Sequence, residues 1–215
     1  MAELFIRADG GASIGSGHIC RCLAIARQAK AHGATVRFLV STEESKGMVA
    51  AGGFEATVLG GDPHCLDESD ARRVAEFCVG DDAALLEDAY GVNEPYFDVL
   101  SEAGIRTAYI DDGFFYSSGY HARMRLPVDV VIDYRFSADE RALSELYQGS
   151  GAVVLAGPRF APVDERFRGV ARDAAARGLD GLAPLMREAD LVVPAVGTTL
   201  YELCVVGVLT GSPCP

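Results

Sequence analysis

The chain has no apolar run longer than a handful of residues. Asp129-Val-Val-Ile132 is typical, and such runs are too short to cross a bilayer. Base is scarce: 19 Lys and Arg stand against 31 Asp and Glu, a formal charge of −12. Without a basic stripe to meet phosphates, nucleic acid is not an expected partner. There is no Cys-x-x-Cys pair among Cys20, Cys22, Cys65, Cys78, Cys204 and Cys214. Cys20 and Cys22 fall in one predicted helix, where positions i and i+2 point about 200° apart and make poor co-ligands. The cysteines therefore read as reduced structural thiols, and the neighbours His64 and Cys65 are at best a weak metal signal. Met1-Ala-Glu-Leu-Phe-Ile-Arg7 carries acid where a signal peptide carries base, and it has no extended apolar stretch. It reads as a first strand, and the protein as cytoplasmic.

The 215 residues are 49% hydrophobic, enough to bury a full core. The length suits one large domain, or one complete domain with a fragment of another. Short β-rich runs alternate with helical segments. Strands are expected at 4–8, 35–40, 54–59, 83–87, 107–111 and 128–132. Helices are expected at about 18–32, 41–51, 68–79 and 94–103, the first and last stopped by Gly33 and Gly104 and the second by Gly52-Gly53. This alternation implies an α/β fold with a Rossmann-like, doubly wound parallel sheet over residues 1–150. After residue 150 the pattern changes. A strand at 152–156, a turn or hinge at 157–160, a charged helix at 164–177, short elements at 182–189 and 191–193, and a helix at 198–206 are expected. Residues 151–215 are too few for a second full nucleotide-binding domain. They read as a hinge and an incomplete C-terminal domain, because the chain ends in Gly211-Ser-Pro-Cys-Pro215 where a further strand is expected.

The densest local signal is Arg7-Ala-Asp-Gly-Gly-Ala-Ser-Ile-Gly-Ser-Gly-His-Ile-Cys-Arg-Cys22. It follows the first strand and opens the first helix, where free N–H groups face ligands in open α/β sheets. Gly15 and Gly17 let backbone approach a ligand closely. The spacing is not Gly-x-Gly-x-x-Gly, which argues against a dinucleotide. His18 at the helix start is the candidate base, since the positive end of the helix dipole disfavours an imidazolium. Arg21, one turn on, either meets a phosphate or carboxylate or lies on a solvated face. Asp9 either orients His18, binds a sugar hydroxyl or forms a turn. Glu87-Asp-Ala-Tyr90 and Asp111-Asp-Gly113 end strands on the same side. Turn formation is their ordinary explanation, with sugar hydroxyl contacts next and a metal after that.

Arg7-Ala-Asp-Gly10 together with Ile14-Gly-Ser-Gly-His-Ile-Cys-Arg-Cys-Leu-Ala24 resembles the N-terminal signature of the UDP-sugar hydrolases of pseudaminic acid biosynthesis. Asp88-Ala-Tyr-Gly91, Asp111-Asp112, Leu155-Ala-Gly-Pro-Arg-Phe-Ala-Pro162 with Phe167, and Glu188 to Cys204 follow in the family's order. The resemblance implies the two-domain GT-B fold of inverting glycosyltransferases similar to MurG, of which residues 1–150 would be the N-terminal half. It implies metal-independent, cofactor-free hydrolysis of UDP-2,4-diacetamido-2,4,6-trideoxy-β-L-altropyranose, with water as acceptor. His18 and Tyr90 take the catalytic places. On the reading of the residues above, Asp9, Gly15, Gly17, Arg21 and Asp111 are the expected substrate-binding residues, and the resemblance matches Gly197, Thr198, Thr199 and Glu202 to the uridine-nucleotide loop and helix. The sequence departs from the family over Arg168 to Gly181, which bridges a longer family segment, and at Val196, where a second glycine is usual. Two alternatives follow: an internally deleted, non-catalytic relative that binds sugar or a partner and self-associates through its incomplete domain, or a glycosyltransferase of the same fold.

Overall fold

The computed structural model describes residues 2–111, 124–167 and 201. The chain divides into two compact units, Met1–Phe160 and Ala161–Pro215. Seven strands build the first: β1 (Glu3–Ala8), β2 (Thr35–Val40), β3 (Ala56–Val58), β4 (Ala83–Asp88), β5 (Arg106–Ile110), β6 (Val130–Asp133) and β7 (Val153–Ala156). All neighbours are parallel, in the order β3-β2-β1-β4-β5-β6-β7. This is the doubly wound order, reversing between β1 and β4. The strand expected at 152–156 joins the same sheet as its outer member.

The α-helices among the described residues are α1 (Gly17–Ala31), α2 (Glu43–Ala51), α3 (Glu68–Phe77), α4 (Glu94–Glu102) and α5 (Glu140–Leu146). Four carry side-chain caps that satisfy first-turn N–H groups. Thr42 accepts from Ser45 N, Asp67 from Ser69 and Asp70 N, Asn93 from Tyr96 N, and Asp139 from Ala142 N. The first helix is the exception, for Ser16 at its N-cap makes no such bond. Sequence periodicity did not single out α5, which is only seven residues long. The third strand is shorter than expected, and the helices and strands expected beyond residue 167 lie outside the described residues. Tyr201 is described as helical.

Strand residues alternate between two buried faces. Phe5, Leu39, Leu85, Tyr109 and Val131 pack with Leu66, Ala71, Val74, Phe97, Leu100 and Leu143 from the α3, α4 and α5 side. The intervening Ile6, Phe38 and Leu86 are buried as well, and α1 and α2 pack on β1, β2 and β3. Burial on both faces is what makes parallel strands read as continuous apolar runs. No helix among the described residues is long and apolar enough to cross a membrane.

Phe97 sits at the centre of this packing. It is fully buried, with its ring 5.1 Å from that of Tyr109 and 5.4 Å from that of Tyr96. Phe97→Ala is expected to cost about 3–5 kcal/mol. The urea midpoint would fall, with the denaturant slope little changed.

Candidate active site

The C-terminal ends of β1 and β4 lie side by side, with Arg7 opposite Glu87 and Ala8 opposite Asp88. This is where the strand order reverses and where open α/β sheets bind ligands. Because successive strand residues point to opposite faces, Glu87 and Asp88 enter different surroundings although they are neighbours in sequence.

Asp88 is fully buried on the α1 side. Its Oδ1 lies 2.8 Å from His18 Nδ1, and its Oδ2 accepts from Arg21 Nε at 2.6 Å. Arg21 Nη2 also bonds Oδ1. The Cys22 thiol lies 3.3 Å from Oδ2, and Arg21 Nη1 donates to Tyr134 Oη at 2.7 Å. Burial alone would raise the Asp88 carboxyl, but the charges and hydrogen bonds of Arg21 and His18 outweigh it and hold Asp88 well below the usual carboxylate range. An ionised carboxylate only accepts hydrogen bonds. Arg21 Nη2, which only donates, lies 2.9 Å from the same Nδ1, so Nδ1 is engaged from two sides while the other ring nitrogen is Nε2. That Nε2 is buried and has no hydrogen-bond partner among the described residues. The Tyr90 ring packs edge-on against the His18 ring, with centroids 4.2 Å apart and planes at 83°. His18, Asp88, Tyr90, Asp9, Ile14 and His64 are among the residues lining a crevice of about 10 Å³, room for about one water.

Glu87 is fully buried on the opposite face. Its Oε2 accepts from Tyr96 Oη at 2.7 Å, while Oε1 has no partner among the described residues. Burial raises this carboxyl well above its ordinary value, and the nearby Arg7 charge offsets only part of that. Arg7 is itself buried between Asp9, which it bonds through Nη1, and Asp70, 3.1 Å from its Nε. Its Nη2 donates to Ser41 Oγ at 2.7 Å. Desolvation alone would lower the Arg7 guanidinium, but Asp9, Asp70 and Glu87 together hold it above its ordinary value. Asp9 accepts from both the amide and the hydroxyl of Ser41, each at 2.7 Å.

The sequence candidates thus fall into three groups. His18, Tyr90 and Asp9 line one crevice. Asp9, however, spends its carboxylate on Arg7 and Ser41, and Asp88 is the residue that orients His18. Arg21 is buried on Asp88, not on a solvated face. Gly15 takes a positive φ of 86°, and Gly17 begins α1. A Cβ at either would meet nothing within 4 Å, so conformation explains Gly15, and the space before Gly17 is open. The tight glycines are Gly10 and Gly11. Added Cβ atoms there would lie 2.8 Å from Ile19 Cγ1 and 2.5 Å from Glu44 Oε2. Asp111 is buried at the end of β5, outside the crevice lining. Gly197, Thr198, Thr199 and Glu202 lie outside the described residues. Among the described cysteines, Cys20 and Cys65 are exposed and Cys22 and Cys78 buried, all free.

Two partners were missed from sequence. Asp88 carries a usable signal, an acid closing an otherwise apolar strand on the ligand side. Tyr134 has none, since 113 residues separate it from Arg21.

No protein-family model and no curated protein matches the chain. Among solved structures it is similar to Acinetobacter baumannii MurG at 12% identity and TM-score 0.47, covering 99% of this chain and 86% of that one. It is also similar to Arabidopsis thaliana UGT89C1 complexed with UDP-L-rhamnose, at 13% identity and TM-score 0.43 over 71% of this chain and 50% of that one. A third similar structure is glucose-6-phosphate 1-dehydrogenase from Mycobacterium avium, at 15% identity and TM-score 0.32, covering 52% of this chain and 30% of that one. The fold class rests on the sheet itself: α/β, Rossmann-like and doubly wound.

Glu87 makes a pH prediction. A carboxyl raised in the folded state favours folding fully below its ordinary value near 4.5, and that contribution is lost as pH rises toward the folded value. Glu87→Gln removes this loss while keeping an acceptor for Tyr96. Chemical denaturation across pH 4 to 9 should show the variant gaining on wild type steadily as pH increases.

Proposed function

We propose that this chain hydrolyses a nucleotide-linked sugar at its glycosidic C–O bond, with water as acceptor and His18 as general base. The observation that carries the reading is the orientation of His18. Its Nδ1 is bound to a buried, ionised Asp88, and its Nε2 is left without a partner at a crevice that holds about one water. With the Nδ1 side of the ring held by Asp88, the unpartnered Nε2 of a crevice-lining histidine is left to act as the base, which is what general-base catalysis needs.

In the proposed reaction, water at Nε2 attacks the anomeric carbon from the face opposite the leaving nucleotide. Its proton passes to His18, and the resulting imidazolium is stabilised by Asp88. The glycosidic bond breaks with its electron pair going to the departing diphosphate oxygen. Tyr90, packed on His18, keeps the ring from swinging. Arg21 neutralises Asp88, so its charge serves the dyad and not a phosphate. Asp9, locked by Arg7 and Ser41, shapes the crevice wall.

The sequence resemblance supplies the substrate class, a UDP-linked diacetamido-trideoxy sugar. It assigns uridine-nucleotide recognition to Gly197, Thr198, Thr199 and Glu202, with residues 1–150 and 151–215 as the catalytic and nucleotide-binding parts. A glycosyltransferase of similar fold is the second reading.

His18→Asn should lower UDP release by about 10²–10⁴, followed by phosphorus NMR on the UDP-diacetamido-trideoxy-altrose, with thermal unfolding unchanged in kind. Asp88→Asn should lower it as well, because an amide can donate to Nδ1 and turn the ring to the wrong tautomer. Full turnover in His18→Asn would remove His18 from the mechanism. Turnover absent from wild type would remove the hydrolase reading.

A further inference from the structure

The crevice beside His18 Nε2 has room for about one water, far below the roughly 300–1,000 Å³ of sites that enclose a small molecule. A sugar ring must therefore rest at its mouth, against whichever lining side chains reach solvent. Asp9, His18, Asp88 and Ala89 are buried, and Ile14, Pro63 and Tyr90 are half-buried. His64 is exposed. It is the lining residue that stands in solvent, with Tyr90 reaching solvent in part.

Its placement is built, from both sides. The ring Nε2 of His64 and Ser13 Oγ share a hydrogen bond of 3.3 Å, which ties His64 to the glycine-rich loop before α1. The His64 amide donates to Asp62 Oδ1 at 2.9 Å, and Leu66 N donates to Gly91 O at 3.2 Å. Gly91 is where the segment beds down. A Cβ there would lie 2.6 Å from the His64 carbonyl oxygen and 2.8 Å from Cys65 N. Contacts that close to backbone force a shift. The glycine after Tyr90 thus lets the β3–α3 loop lie directly on the β4–α4 loop, and so carries His64 to the mouth of the crevice. With Nε2 engaged by Ser13, Nδ1 makes no hydrogen bond among the described residues.

We propose that His64 is a specificity-determining residue of this site, its Nδ1 hydrogen-bonding a polar substituent of the sugar ring held above His18, with Ser13 orienting the imidazole and Gly91 seating the loop. The inference rests on the site binding a nucleotide-linked sugar. It does not need the sugar to be hydrolysed. Direct contact predicts an effect on binding and on KM, with kcat largely preserved, because His64 does not reach the reacting proton. The expected size is that of one net hydrogen bond, a factor of about 3–10.

The test is calorimetric binding of the UDP-diacetamido-trideoxy sugar to the full chain carrying His18→Asn, in which turnover is slowed by about 10²–10⁴ and every comparison is made against the same background. Adding His64→Ala should weaken binding by that factor, while UDP alone binds as before. His64→Asn or His64→Gln should restore part of it, since either amide offers a donor and an acceptor. Gly91→Ala should mimic His64→Ala, and the two together should cost no more than one alone. Unchanged binding in His64→Ala, equal weakening for UDP alone, additive effects of Gly91 and His64, or no binding of the sugar nucleotide at all would each overturn the proposal. Binding that depends on His64 in a chain that shows no turnover would leave this inference standing and remove the hydrolase reading, so the two fail separately.

Discussion

A carboxylate with no access to water has to be matched by charge and hydrogen bonds on the spot, and the rest of the site follows from how Asp88 meets that demand. Arg21 supplies the charge with two of its nitrogens, His18 brings a ring nitrogen, and Cys22 brings up a thiol. All three come from the first turn and a half of α1, so satisfying Asp88 also fixes how that helix sits on the sheet. Removing one member of such a buried set is far more damaging than the net stability of the set suggests, because the others are left charged and dry. The same constraint is what fixes where the His18 ring sits. Chemistry and packing are here one requirement.

The face across the sheet solves a parallel problem differently. Arg7, Asp9 and Asp70 pair off charge against charge, and Glu87 is left to bury its carboxyl beside Tyr96 with one oxygen unmatched. A raised carboxyl is the physical outcome where desolvation exceeds what one shared guanidinium can return. Two acids in consecutive positions therefore stand at opposite ends of their range, Asp88 ionised and Glu87 disposed to keep its proton. Neither state is readable from composition. Both come from which face of a parallel strand each residue occupies.

Much of the fold was legible because its signals are local. Gly33, Gly53 and Gly104 take the positive φ values that stop or follow α1, α2 and α4, and the apolar runs of β1, β2 and β4 match their burial on two faces. The glycine-rich segment with His18 was legible as a candidate site for the same reason, a strand end, a turn and a helix start in sequence order. What escaped was non-local. Asp9 looked like a partner for His18 because it is near in sequence, whereas Asp88 is 70 residues away and adjacent only through the β1–β4 pairing. Gly15 and Gly17 stood out in the sequence pattern, yet it is Gly10, Gly11 and Gly91 whose missing Cβ atoms admit neighbouring side chains and loops. Close approach between distant segments leaves no periodicity to read.

The alternation of Glu87 and Asp88 across β4 also governs what length changes this chain tolerates. Gaining or losing one residue between Ala83 and Asp88 would turn the last strand positions over, presenting the surroundings of Glu87 to Asp88 and those of Asp88 to Glu87. Every partner on both faces would then be wrong at once. The segments that follow the strand ends carry no such parity. Relatives of this chain should accordingly keep β4 at constant length while the loops after β3 and β4 drift, since those loops, not the strand, are the free material.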